Sequence, residues 1–266
     1  MIDAHYRSVA PGRAVDCINL GLPSETASGL SEPDHPFPRP DVHERLERAL
    51  ARTKPDLVVA CYGMNDGIYH PFSEERFAAY RRGIDRLIEE VEAAGARLVL
   101  LTPPPFDPVP LRKSGKLRPK DAEKHAWFAA YDGYDDVLRR YATWLRARRG
   151  RVEMVVDIRA PVVEYLKRRR SEDPEFTLAS DGIHLNAQGH RLIAHAVLER
   201  WGETPRDIPE AVLRLSAERE KILRHAWLSH VGHQRPGIAE GLPIEEARTR
   251  AAAIETRIRD AVEDEK

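Results

Sequence analysis

Apolar residues along the chain follow two rhythms. Short continuous runs read as buried strands: Ala14-Val15-Asp16-Cys17-Ile18-Asn19-Leu20, then Asp56 to Cys61, Arg97 to Thr102, and Val152 to Asp157. Between them the apolar positions repeat at helical spacing, over about Val42 to Arg52, Phe72 to Ala94, Ala122 to Arg149, Arg159 to Arg169 and Ala187 to Trp201. The second of these is the most regular, with Phe77, Tyr80, Ile84, Leu87, Ile88 and Val91 on one stripe and Gly95 as its stop. Phe106 to Lys120, rich in proline and lysine, reads as a surface loop. Strands of unbroken Val/Leu/Ile character alternating with helices imply a parallel sheet covered on both faces. Ligands of such sheets bind at the carboxyl ends of the strands, where the loops at Gly21, Asn65 and Thr102 are expected to emerge.

Beyond Pro209 the rhythm changes. Ile208, Val212, Leu215, Ile222, Ala226 and Ser229 form one seam, and Ile244, Ala247, Ala251, Ile254, Ile258 and Ala261 form a second after the turn at Gln234 to Gly241. This predicts a helical hairpin, packed on the preceding domain or on a second copy of the chain. Residues 1–202 are therefore assigned to an α/β domain and 203–266 to a helical extension. At the other end, Met1 to Gly12 reads as the last turns of an amphipathic helix stopped by Pro11-Gly12. A domain rarely opens that way, so the sequence is expected to begin inside a larger reading frame.

Composition narrows the function classes. At 266 residues and 42% hydrophobic content the chain can bury a full core. A formal net charge of −1 gives no electrostatic reason to expect nucleic acid or an anionic membrane as partner. The basic clusters at Arg146–Arg151 and Lys167–Arg170 sit near predicted helix ends, where cations complement the helix dipole. No run reaches the length of a membrane span, and the first residues do not form a signal peptide; the compartment stays unassigned. No cofactor or metal is implied. His225 and His230 are five apart and do not share a helix face, so with His233 they read as surface histidines.

Three segments carry candidate chemistry. Asp181 and His184 lie three apart in Ser180-Asp181-Gly182-Ile183-His184-Leu185-Asn186, just ahead of a helix whose N-cap candidate is Asn186. A carboxylate bonded to one imidazole nitrogen fixes the tautomer and stabilises the imidazolium that forms when the other nitrogen takes a proton. The same four residues could equally be a capped turn with a structural histidine. Asn65, in Gly63-Met64-Asn65-Asp66, follows a buried strand; its amide could donate to an oxyanion or close an Asx turn. Gly21, in Asn19-Leu20-Gly21, is a turn glycine or a backbone donor to the same oxyanion.

Taken in order, strand-Asn-x-Gly, strand-Gly-x-Asn-Asp and Asp-x-x-His before a final helix, the chain up to about Trp201 resembles the SGNH (GDSL-like) hydrolase family. The resemblance implies a flavodoxin-like three-layer α/β/α sandwich. It also implies a serine esterase in which Gly21 and Asn65 are the oxyanion donors, Asp181 the triad acid and His184 the general base. The implied substrates are acetyl or other short acyl esters of carbohydrate or lipid-like molecules.

One block of the pattern is absent. The family's first strand ends in Gly-Asp-Ser, whose serine attacks the ester, and no Gly-Asp-Ser occurs here; Ser8 is the single serine ahead of Gly21. Loss of a triad nucleophile can cost about 10⁶-fold in turnover, so the chain as written is expected to be inactive and to lack the first strand of its sheet. Ser24, Thr26 and Ser28 follow Gly21 and are the candidates for a replacement hydroxyl, helix capping being the competing role. Cys17 and Cys61 read as core residues, held about 9.6 Å apart by the absent strand and thus too far for a disulfide. Two other readings stay open: a non-catalytic binding protein that assembles through the hairpin, and a metal-dependent hydrolase using Asp181, His184 and His190. Tyr62, Tyr69, His70 and the Pro103-Pro104-Pro105-Phe106 segment are expected to rim the pocket.

Overall fold

The computed structural model describes residues 1–9 and 15–264, which divide into two compact units, Pro23–Val197 and Met1–Leu22 with Leu198–Lys266. The division falls within one helix, and it groups the N-terminal segment with the C-terminal helices.

The first unit is an α/β sandwich on a parallel sheet. Its strands are β1 (Leu57–Ala60), β2 (Arg97–Leu101) and β5 (Met154–Val156), in the order β1-β2-β5, with Val58 opposite Leu98 and Leu100 opposite Val155. β2, the central strand, is buried after its first residue, as a doubly covered parallel strand must be. Each strand ends at a polar side chain or loop on the same edge: Asn65 beyond β1, Thr102 beyond β2, Asp157 beyond β5. Thr102 Oγ1 donates to Asp157 Oδ1 (3.2 Å), tying two of these loops together.

The helices are α2 (Leu46–Thr53), α3 (Glu74–Ala93), α4 (Tyr134–Arg146), α5 (Arg159–Arg170) and α6 (Ala187–Arg200). α3 shows how the sequence sets its limits. Ser73 Oγ accepts from the Arg76 N–H, and Glu74 and Glu75 occupy the first turn. At the other end Gly95 adopts φ +75°, its N–H reaching Glu92 O and that of Ala96 reaching Val91 O (3.2 Å), a Schellman closure. The stripe Tyr80, Ile84, Leu87, Ile88 and Val91 is buried. Gly83 on this helix lets the 25–28 loop approach: a Cβ there would lie 1.8 Å from Ala27 O.

Three expectations for this unit need correction. The helix predicted over 122–149 begins only at Tyr134. Ahead of it, Ala126 and Ala129 exchange backbone bonds (3.1 and 2.9 Å) around a tight turn, and β4 (Ala130–Tyr131) pairs with β3 (Leu117–Arg118). The 106–120 segment, read as plain loop, holds a 3₁₀ helix at Val109–Ser114 as well as β3. Cys61 is exposed rather than core, as is Val59 on the same face of β1. Alternation along this edge strand turns that face outward.

The second unit is helical. α1 (Ile2–Val9), α7 (Glu210–Val231) and α8 (Ile244–Glu263) bury two apolar clusters. One joins Ala4, Val212, Leu215, Ile254, Ile258 and Val262; the other joins Leu223, Ala226, Trp227, Ala247 and Ala251. The early part of α7 thus meets the late part of α8, the antiparallel hairpin that the two seams predict. The strand expected over Ala14 to Leu20 does not form among the described residues 15–22; Ala14 itself, like Pro11 and Gly12, lies outside them. Ile18 and Leu20 instead pack on the hairpin cluster. Asn19 donates to Glu220 (2.6 Å), so side-chain contacts replace a ladder. No helix among the described residues is long and apolar enough to cross a membrane.

Candidate active site

The loop between α5 and α6 carries the titratable pair. Asp181 Oδ2 lies 2.6 Å from His184 Nδ1, while Asp181 Oδ1 accepts from the backbone N–H of His184 (2.8 Å) and of Ile183 (3.0 Å). Both carboxylate oxygens are thus occupied within one turn. Asn186 Oδ1 accepts from the Gly189 N–H and caps α6, as its position predicts. Burial pushes the Asp181 carboxyl up. The ring of His184 and the two amide donors outweigh that and hold it below its ordinary value. An ionised Asp181 makes Nδ1–H the donor, which leaves Nε2 as the proton acceptor. The His184 side chain is 82% exposed, open to an incoming group.

Asn65 stands in the same unit with its amide held at both ends. Its Nδ2 donates to Glu25 O (3.1 Å), and its Oδ1 accepts from the Tyr69 hydroxyl (3.0 Å). A backbone carbonyl can only accept, so the Glu25 contact identifies the nitrogen side. The Glu25 contact engages one of the two Nδ2 hydrogens. Tyr69 is fixed in turn by stacking on Tyr134 (5.0 Å between centroids) and by the Arg39 guanidinium 5.4 Å from its ring. Burial raises the Tyr69 hydroxyl well above its ordinary value in opposition to Arg39, and the charges of Glu32 and Asp181 reinforce it. Asp181 therefore lies within electrostatic reach of the residue that grips Asn65. Ile68 and Tyr69 both take positive φ (44° and 60°), a strained segment three and four residues after Asn65.

Buried charges support this region. Glu25 and Arg45, 5% and 4% exposed, make a two-pronged pair at 2.7 and 2.8 Å, and Tyr62 donates its hydroxyl to Glu25 Oε2 (2.7 Å). Asp66, fully buried, accepts at Oδ1 from Ala27 N and Ser28 N, both at 2.8 Å, and burial raises it to about 6. The sequence places Asp66 beside Asn65 but gives no sign of its loop partners. Nor does it disclose the Glu25–Arg45 pairing across 20 positions.

The remaining candidates fall differently. Gly21 belongs to the helical unit, where its N–H donates to Asn19 Oδ1 (2.9 Å) and its carbonyl accepts from Arg224 (2.7 Å). Thr26 is fully buried, while half-buried Ser24 takes φ +68° one residue from the Glu25 carbonyl that Asn65 grips. Tyr69 and Phe106, expected at a pocket rim, are core residues at 2% exposure because they pack against Tyr134. Among the described residues no group of three His, Cys, Asp or Glu side chains could hold a metal; His190 begins its own turn of α6, its N–H bonded to Asn186 O.

The sequence model of the GDSL-like lipase/acylhydrolase family matches residues 4–192. The chain belongs to this family. It is accordingly an ester-hydrolysing serine-hydrolase type by family. No curated protein matches it. Among solved structures it is similar to a catalytic mutant of Axe2, an acetylxylan esterase from Geobacillus stearothermophilus. That likeness has 22% identity over 77% of this chain and 82% of that one, with a TM-score of 0.50. A tryptophan-to-isoleucine mutant of the same esterase gives the same values. At that identity the likeness speaks for the fold, and it agrees with the α/β/α sandwich of a GDSL-like hydrolase.

Proposed function

We propose that this GDSL-like chain carries the proton-handling and anion-stabilising parts of an esterase for acetyl or other short acyl esters of carbohydrate or lipid-like substrates. The observation that carries the reading is the 2.6 Å contact between Asp181 and His184, on an exposed loop and in the same unit as the restrained Asn65 amide. In this reading His184 Nε2 takes the proton of an attacking hydroxyl while Asp181 stabilises the resulting imidazolium. Asn65 Nδ2 donates to the oxyanion of the tetrahedral intermediate. His184 then protonates the leaving alcohol, and water repeats the sequence to free the acid. The acetylxylan that Axe2 acts on suggests acetylated xylose polymers as the first to try.

Because no Gly-Asp-Ser occurs in the 266 residues, they are inert as a hydrolase by themselves in this proposal. The test is release of acetate from acetylated xylo-oligosaccharide by the chain and by the chain preceded by a strand ending in Gly-Asp-Ser. Activity confined to the longer form, and abolished there by His184→Ala, supports the proposal; activity of the longer form that survives H184A refutes it.

The lack of that nucleophile favours a second reading, a non-catalytic ester-binding protein that pairs with another copy through the α7–α8 hairpin. It requires a cooperative melt and a defined oligomer for the 266-residue chain.

A further inference from the structure

Asp107 has no part in the chemistry above, yet its carboxylate is buried and accepts three hydrogen bonds. It is 4% exposed. Its Oδ2 accepts from Thr177 Oγ1 and from Arg170 Nη2, each at 2.6 Å, and its Oδ1 accepts from the Val109 N–H at 3.1 Å. Its own N–H donates to Gly182 O at 2.9 Å. Thr177 and Gly182 both belong to the loop that bears Asp181 and His184, and Gly182 lies between those two residues. We propose that Asp107 is the positioning residue of the Asp181–His184 pair, fixing their loop at Gly182 and at Thr177.

This rests on reading the pair as acid and base. The physical case is one of constraint. Asp181 and His184 are exposed side chains that little packing restrains, at 50% and 82% exposure. Their mutual geometry depends on the backbone between them. That backbone turns at Gly182, where φ is +76° and a Cβ would sit 2.5 Å from Asp107 O. The approach is possible only for glycine. Thr177 extends the hold: its hydroxyl also accepts from the Ala179 N–H (3.0 Å), and Ala179 O accepts from Gly182 N (2.9 Å). Arg170 adds a third point, donating Nε to Phe176 O at 2.8 Å. Asp107 thus gathers the loop at Thr177 through its carboxylate, at Gly182 through its backbone N–H, and at Phe176 through Arg170. Charge-assisted bonds to a buried acceptor are among the stronger polar contacts. The exposed Lys113–Glu175 pair across the same two segments adds little.

The test uses the full 266-residue chain and needs no turnover. Two signals report the pair: the low-field proton resonance of His184 Nδ1–H in its short bond to Asp181, and the carboxyl ¹³C titration of Asp181, expected below the usual carboxylate range. Asp107→Ala and Thr177→Val should abolish the low-field resonance and move the Asp181 midpoint upward; Thr177→Ser, which keeps the hydroxyl, should restore both. Retention of both signals in D107A and T177V would overturn the proposal. Should D107A fail to fold, the T177V and T177S pair decides. Failure of ester hydrolysis in the longer form would sink the catalytic reading and leave this positioning result standing.

Discussion

Tyr69 donates its hydroxyl proton to Asn65 Oδ1 at 3.0 Å, and so, with the Glu25 carbonyl on the nitrogen, holds the Asn65 amide at both ends. The contact is set by the core: the ring that carries the hydroxyl is stacked on Tyr134 and fully buried. Tyr69→Phe keeps the stack and removes the bond. The expected loss is about 1 kcal/mol of stability, the net value of a neutral hydrogen bond. It should come with broadening of the Asn65 side-chain amide signals as the group gains a second orientation. Urea unfolding and side-chain amide NMR check both; an unchanged amide signal would show that Tyr69 does not orient Asn65.

Asp66 predicts a pH dependence. Its carboxyl is raised from 3.8 to about 6 in the folded protein, so between those values the native state holds a proton that the unfolded chain releases. The stabilisation is fully present below about pH 4 and is lost as pH rises through about 6. The stability difference between Asp66→Asn and the parent should therefore shift in favour of the variant by on the order of 2 kcal/mol from pH 4 to pH 7. Denaturant melts of both proteins across that range measure it. A constant difference would contradict the assignment.

The Glu25–Arg45 pair is two-pronged and buried, and the Glu25 carbonyl grips Asn65. Arg45→Ala leaves a buried carboxylate with only the Tyr62 hydroxyl, at an expected cost of about 3 kcal/mol. Arg45→Lys should not recover it, because an ammonium cannot reproduce the planar fork. Equilibrium unfolding of both variants tests this; full stability in the lysine variant would refute the geometric argument.

Asp181 sits on the acid side of the same logic. Its folded value is depressed, so its stabilising contribution is present above the unfolded carboxylate value and is lost as pH falls through the folded one. In a form bearing the Gly-Asp-Ser segment, Asp181→Asn should slow ester turnover by about 10⁴-fold through the wrong His184 tautomer. A loss under tenfold would remove Asp181 from the machinery.

Periodicity makes the sheet and α3 legible, because a doubly covered strand and a long amphipathic helix each leave an unmistakable pattern. The Asp181–His184 contact is also readable, since three-residue spacing in one turn brings both side chains together without help from the rest of the fold. Ala14 to Leu20 misleads: an apolar run reports only that burial is wanted, and Ile18 and Leu20 find it on helices. The 122–149 helix misleads for a related reason, since Trp127 and Phe128 carry helical apolar spacing but stand exposed at a turn. Asp107, Glu25 and Arg45 are illegible beforehand, because their partners are remote in sequence and no local spacing encodes them.

The most direct measurement of the central claim is labelling with a fluorophosphonate probe. The 266-residue chain and the same chain preceded by a Gly-Asp-Ser strand are compared, each with His184 intact and with H184A. Covalent labelling of the longer form alone, lost on H184A, is the predicted result. Labelling of the 266-residue chain, for instance at Ser24, or labelling of the longer form that is indifferent to His184, would contradict it.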